Sequence, residues 1–183
     1  LDRLDNAVDE LQPRRIYLMI GINDLMWTQR TDEQLADGYA ELLAAIRAEA
    51  PDAELIVLST LPTTGKWAEA NPRVKKLNAA VRNMVDAFDA EYVDLWPVMA
   101  NDQGELRSEY SLDGIHLTLA GYLAWLEAIL TPEDYFKAVW NLAPRWAWEN
   151  PAGYPIDATN PQGNSQYPGG RGPEQMIIYT PEY

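Results

Sequence analysis

His116 is the only histidine in a chain of 183 residues. Asp113 stands three positions before it, in Ser111-Leu112-Asp113-Gly114-Ile115-His116-Leu117-Thr118, a loop-like stretch just ahead of a helical pattern. At this spacing a short turn folds the carboxylate back onto the imidazole Nδ1–H. That fixes the tautomer, makes Nε2 the base and stabilises the imidazolium. Read alone, the same residues better suit a surface histidine near a helix N-terminus, with Asp113 as a turn residue. A second polar group, Gly21-Ile22-Asn23-Asp24-Leu25, follows an apolar run. A neutral amide at Asn23 is suited to donate to a developing oxyanion, but Asn and Asp are also ordinary turn residues. Trp27 reads either as the wall of an acyl or alcohol pocket or as a core residue on a helix face.

Other chemistries find little support. The chain has no cysteine, which excludes a thiolate nucleophile, thiolate zinc sites and disulfide scaffolds. One histidine excludes a polyhistidine metal site, and Asp113 and His116 lack a second clustered ligand set, so neither metal nor cofactor is expected. Thr64-Gly65-Lys66-Trp67 has the Gly-Lys of a phosphate loop without its first glycine or its Ser/Thr. The formal net charge is −14, from 28 acidic and 14 basic residues. Such a field repels nucleic acid and anionic membranes. No apolar run reaches the ~18 residues of a membrane span.

The elements that must position these residues alternate. Arg15 to Ile20, closing at Gly21, reads as a buried strand. Thr31 and Gln34 form a capping box ahead of a helix to about Ala50, stopped by Pro51. Glu54 to Thr60 reads as a second strand, and Leu61 to Ala70 as a loop. Asn71 caps a helix with Pro72 at its first position and Val74, Leu77, Val81, Met84, Val85 and Phe88 inward. Tyr92 to Leu95 reads as a third strand, residues 96–115 as mostly loop, and Leu117 to Leu130 as a final helix with Leu119, Leu123, Leu126 and Leu130 on one side. Strands spaced by helices of this length predict a parallel α/β sheet. Leu1, Leu4, Val8 and Leu11 read as a helix face that opens at the first residue, and this suggests a truncated or processed chain.

Gly-x-Asn-Asp after a parallel strand and Asp-x-x-His before the last helix lie 92 residues apart, from Asp24 to His116. Together they resemble the SGNH (GDSL-type) hydrolases over roughly residues 1–130. The resemblance implies a flavodoxin-like parallel sheet with helices on both faces, and an esterase or acylhydrolase working through an acyl-enzyme. It implies that His116 is the general base, that Asp113 orients it, and that Asn23 donates to the oxyanion. Gly21, Asp24, Trp27 and Ile115 are then expected beside the substrate, a small-molecule or carbohydrate ester. The family's Gly-Asp-Ser block is absent, as is the block that supplies an oxyanion-hole glycine. The serines are Ser59, Ser108, Ser111 and Ser165. Ser111 reads as a turn residue, and Ser165 follows Gly163-Asn164 with no strand before it. The expectation is that the N-terminal strands are missing, about 40–60 residues upstream of Leu1. The fragment alone should then be inert and should expose the edge of its first strand.

Residues 131–183 differ in kind. They hold 8 of the 13 prolines and 5 of the 11 glycines, with Trp140, Trp146 and Trp148. That composition predicts an irregular extension packed on the 1–130 domain, with Met176 to Thr180 as one short strand. A non-catalytic carbohydrate-binding module on the same fold is the alternative function. A flavodoxin-like module binding a phosphorylated cofactor has no glycine-rich loop to support it. Neither the compartment nor the oligomeric state follows from the sequence.

Overall fold

Three short apolar segments pair in the order they occur along the chain. In the computed structural model, which describes residues 13–132, 134 and 135, they are β1 (Arg15–Leu18), β2 (Glu54–Leu58) and β3 (Ala90–Val93). All pairs are parallel, with Ile16 opposite Leu55 and Leu55 opposite Ala90. Parallel neighbours need crossover connections. These are α2 (Asp32–Glu49), which follows the short α1 (Ile22–Trp27), and α3 (Asn71–Met84). The expected helix before Arg15, the tail tryptophans, Ser165 and the strand at Met176 lie outside the described residues.

The described residues fall into two units. One comprises residues 13–61 and 69–96. In it, Ile16 and Leu18 of β1 and Leu55 and Val57 of β2 join Leu25, Leu35, Leu43, Ile46, Val74, Leu77 and Val81 in a single apolar core. Each fully buried aliphatic side chain contributes about 1.5–3 kcal/mol. The alternate strand residues Tyr17, Ile56 and Leu58 are also buried, as in a sheet without a wet face. The capping box at Thr31 forms with both of its hydrogen bonds. Where α2 ends, Arg47 donates to the carbonyls of Ala50, Pro51, Ala53, Phe88 and Asp89. It thereby ties the helix C-terminus to the entries of β2 and β3.

The other unit comprises residues 62–68 together with 97–132, 134 and 135. Antiparallel bridges join Ala100 to Leu106 and Ser111 to Leu117, and α5 (Leu119–Ile129) follows. Trp125 is buried, with the ring of Tyr122 edge-on at 6.2 Å.

Several sequence expectations shift. The third strand begins at Ala90, not Tyr92, because Asp89 takes a left-handed conformation (φ 50°) that ends the preceding 3₁₀ turn, Val85–Phe88, and starts the strand at once. Residues 65–70 form a 3₁₀ helix that runs straight into α3. Ala70, and not Asn71, therefore occupies the cap position. Residues 96–115 include α4 (Trp96–Met99) and a 3₁₀ turn at Ser108–Tyr110. The last helix starts at Leu119, because Leu117 is held in the bridge and Thr118 caps, its hydroxyl accepting from the Gly121 N–H. Its inward residues are Gly121, Trp125 and Leu126, whereas Leu119 is 54% exposed. No helix among the described residues is long and apolar enough to cross a membrane.

Candidate active site

The loop from Ser111 to Leu117 closes on itself through the bridge between its ends, and Asp113 fills the interior of the turn. Asp113 Oδ1 accepts from the backbone N–H of Ile115 at 3.0 Å and of His116 at 2.8 Å. Its Oδ2 pairs with His116 Nδ1. This is an Asx turn whose second oxygen is spent on the imidazole. Burial alone raises the carboxyl pKa. The hydrogen bonds from the His116 ring and from the Ile115 and His116 amides outweigh it and hold Asp113 below the ordinary carboxylate range. The pairing at Nδ1 fixes which ring nitrogen faces the carboxylate. The His116 side chain is 37% exposed, while Asp113 is the better buried of the two at 25%.

The loop is seated against a second segment of its own unit. Gly114 has φ +93°, a conformation that disfavours any side chain. The Thr64 N–H donates to the Gly114 carbonyl at 3.0 Å. A Cβ at Gly114 would lie 2.4 Å from the Thr64 carbonyl oxygen. Thr64 in turn is tied to Glu105 by its hydroxyl at 2.7 Å. The Thr64-Gly65-Lys66-Trp67 stretch thus serves as a wall for the histidine loop, with the Lys66 ammonium 4.5 Å from the Trp67 ring centre.

The Asn23 group lies in the other unit, just beyond β1. Gly21 bends the chain with φ +115°, and a Cβ there would lie 2.8 Å from Leu77 Cδ2. The Gly21 carbonyl accepts the Leu25 N–H and so starts α1. Asn23 and Asp24 are half-buried in its first turn. The Asn23 side-chain amide has no hydrogen-bond partner among the described residues. Two braces hold this corner. Thr60 donates from its hydroxyl to the Ile20 carbonyl, while Asn78 clasps Thr60 by accepting from its N–H and donating to its C=O, each at 2.8 Å. Arg73 donates to the Leu25 and Arg30 carbonyls and to Asp32.

The structure therefore brings Asp113, Ile115 and His116 together in one loop, and places Gly21, Asn23 and Asp24 together at the carboxyl end of β1. Trp27 is 64% exposed, so it is not a core residue. Thr60, Asn78 and Arg73 were not singled out in the sequence, and Thr64 was noted only within a stretch that falls short of a phosphate loop. Each acts on a residue far along the chain, and only the Asp-Gly turn at Asp113-Gly114 gave a local hint.

Among known proteins, residues 1–124 match the model of the GDSL-like lipase/acylhydrolase family. The platelet-activating factor acetylhydrolase IB subunit alpha2 of Rattus norvegicus is 25% identical over 122 residues, 66% of this chain and 52% of that protein. The chain thus spans about half the length of the curated relatives it matches. A solved structure from Streptococcus pneumonia, described as a platelet activating factor, superposes with TM-score 0.58 at 26% identity, covering 66% of this chain and 58% of the other. A GDSL-like lipase of Bacteroides thetaiotaomicron superposes with TM-score 0.61 at 22% identity, over 74% of this chain and 68% of the other. That likeness is one of fold.

Proposed function

The chain belongs to the GDSL-like lipase/acylhydrolase family, and from that premise we propose that it carries the general base, the orienting carboxylate and an oxyanion donor of a serine esterase. In this reading a serine hydroxyl of the full-length protein attacks the ester carbonyl. His116 Nε2 takes the hydroxyl proton as the new C–O bond forms. Asp113 stabilises the imidazolium, and Asn23 donates its amide N–H to the tetrahedral oxyanion. The imidazolium then protonates the departing alkoxide. Water, activated by the same nitrogen, releases the acid from the acyl-enzyme. Gly21 and Asp24 shape the corner that presents Asn23, Ile115 lines the histidine loop, and exposed Trp27 contacts the acyl or alcohol part.

The observation that carries the reading is the Asp113 carboxylate locked by two backbone amides onto His116 Nδ1. A merely solvated histidine has no use for so ordered a partner. The names of the curated relatives favour a short acyl group such as acetyl. The described serines offer no evident nucleophile. Ser59 is buried, with its Oγ accepting from the Leu95 N–H, and Ser108 lies beside the Glu109 carboxylate at 3.5 Å. The test is turnover of an acetyl ester by the full-length protein, followed as acetate release. Saturable binding of carbohydrate or ester without acetate release would favour the binding-module alternative instead.

A further inference from the structure

Ser111 is buried and sits at the mouth of the histidine loop, in extended conformation (φ −151°, ψ 142°), bridged to Leu117 on the opposite arm. Its hydroxyl accepts from the Gly114 N–H at 2.9 Å and donates to Asp113 Oδ1 at 3.3 Å. We propose that Ser111 is a positioning residue for the reaction: it holds the Asp113 carboxylate, and through it the His116 ring, and it is not the nucleophile. This inference rests on the acylhydrolase reading above.

The hydroxyl has one proton to give. A nucleophile gives it to the base; Ser111 gives it to the carboxylate behind the base. Asp113 Oδ1 has three donors: the amides of Ile115 and His116, which follow it in the chain, and Ser111, which precedes it. Ser111 is therefore the one link from the carboxylate to the incoming arm of the loop, the arm anchored by the Leu117 bridge. Without it, the two amides still grip Oδ1, but the carboxylate plane is free to swing and Oδ2 drifts from Nδ1. The loop is then intact while its geometry loosens, and this distinguishes positioning from simple support. One hydrogen bond to a charged acceptor, here at 3.3 Å and so longer than the usual ~2.5–3.0 Å of an O–H···O contact, corresponds to about a tenfold effect at most.

The chain's single histidine makes the test clean, because the imidazole nitrogen spectrum contains one ring. In the 183-residue protein, Nδ1 should be protonated in the neutral ring, with a slowly exchanging, downfield proton. Ser111→Ala should stay folded by circular dichroism yet broaden that signal and move it upfield. Ser111→Thr, which keeps the hydroxyl on a strand-compatible backbone, should restore it. Should Ser111→Ala unfold, Ser111→Cys keeps the size with a weaker donor, and the same signal must weaken. In the full-length enzyme, Ser111→Ala should lower kcat about tenfold with KM little changed, and should add nothing in an Asp113→Asn background. An unchanged Nδ1–H signal in folded Ser111→Ala would overturn the proposal. So would covalent labelling of Ser111 by an activated phosphonate. If His116→Ala keeps full esterase activity, the acylhydrolase reading fails, while the ring signal still decides whether Ser111 orders Asp113 and His116.

Discussion

Gly114→Ala puts a methyl group where the histidine loop meets Thr64, and its cost can be worked from three contributions. The φ of +93° is a left-handed conformation that costs a non-glycine residue about 1–2 kcal/mol. The new Cβ would lie 2.4 Å from the Thr64 carbonyl oxygen and 3.2 Å from Trp67 Cδ1. Backbone has to move, at about 1–3 kcal/mol for overpacking. Movement breaks the Thr64 N–H to Gly114 C=O hydrogen bond, another ~1 kcal/mol. The sum is roughly 3–6 kcal/mol, or a fall in Tm of roughly 6–24 °C for a chain of this size. Gly65→Ala is the internal control. Gly65 also has positive φ, +62°, but a Cβ there meets nothing within 4 Å. It bears only the backbone contribution, about 1–2 kcal/mol. Scanning calorimetry on the two variants separates strain from contact. Equal melting temperatures would refute the claim that Thr64 is a wall against the loop. Because Asp113 flanks Gly114, esterase activity should fall in Gly114→Ala and hold in Gly65→Ala.

Asn23→Ala in the full-length enzyme should lower kcat by ~10²–10³ with little change in KM, the usual loss for one oxyanion donor; a rise in KM at constant kcat would make Asn23 a ground-state contact. Asp113 has a depressed folded pKa, so its pairing stabilises the fold above the unfolded value of about 3.9 and is lost as pH falls through the folded value. The stability gap between wild type and Asp113→Asn in urea titrations should therefore be full at pH 7 and shrink below about pH 4; a gap that widens in acid would contradict the pairing. Arg47→Met keeps the apolar stem but removes the donor to five carbonyls; it should cost about 2 kcal/mol in urea unfolding, and an unchanged midpoint would show that solvent replaces it.

The parts of the fold that were legible are those written locally. The runs at Arg15, Glu54 and Tyr92 marked three strands, and Thr31 with Gln34 marked the start of α2 to the residue. The third strand was misplaced by two residues because its start depends on the left-handed turn at Asp89, where nothing but an Asp signals it. On the last helix the expected leucine stripe holds at Leu126, which is buried, but Trp125 and Gly121 are buried beside it and Leu119 is exposed. The site shows the same division. Asp113 and His116 are three apart, so a single turn unites them and the sequence reveals the pair. Thr64 and Gly114 are 50 apart (114 − 64), and Thr60 and Asn78 are 18 apart. Contacts at those separations follow from how strands and loops stack, and no local pattern announces them. Ser111 was legible as a turn residue, but the direction of its proton was not.

The central claim is that His116, held by Asp113, is the base of an ester-cleaving site. It is tested most directly by kcat/KM of the full-length protein on an acetyl ester, wild type against His116→Ala. Removing the base should cost several orders of magnitude, about 10⁴ or more, with the fold intact by circular dichroism. An activity within tenfold of wild type would contradict it.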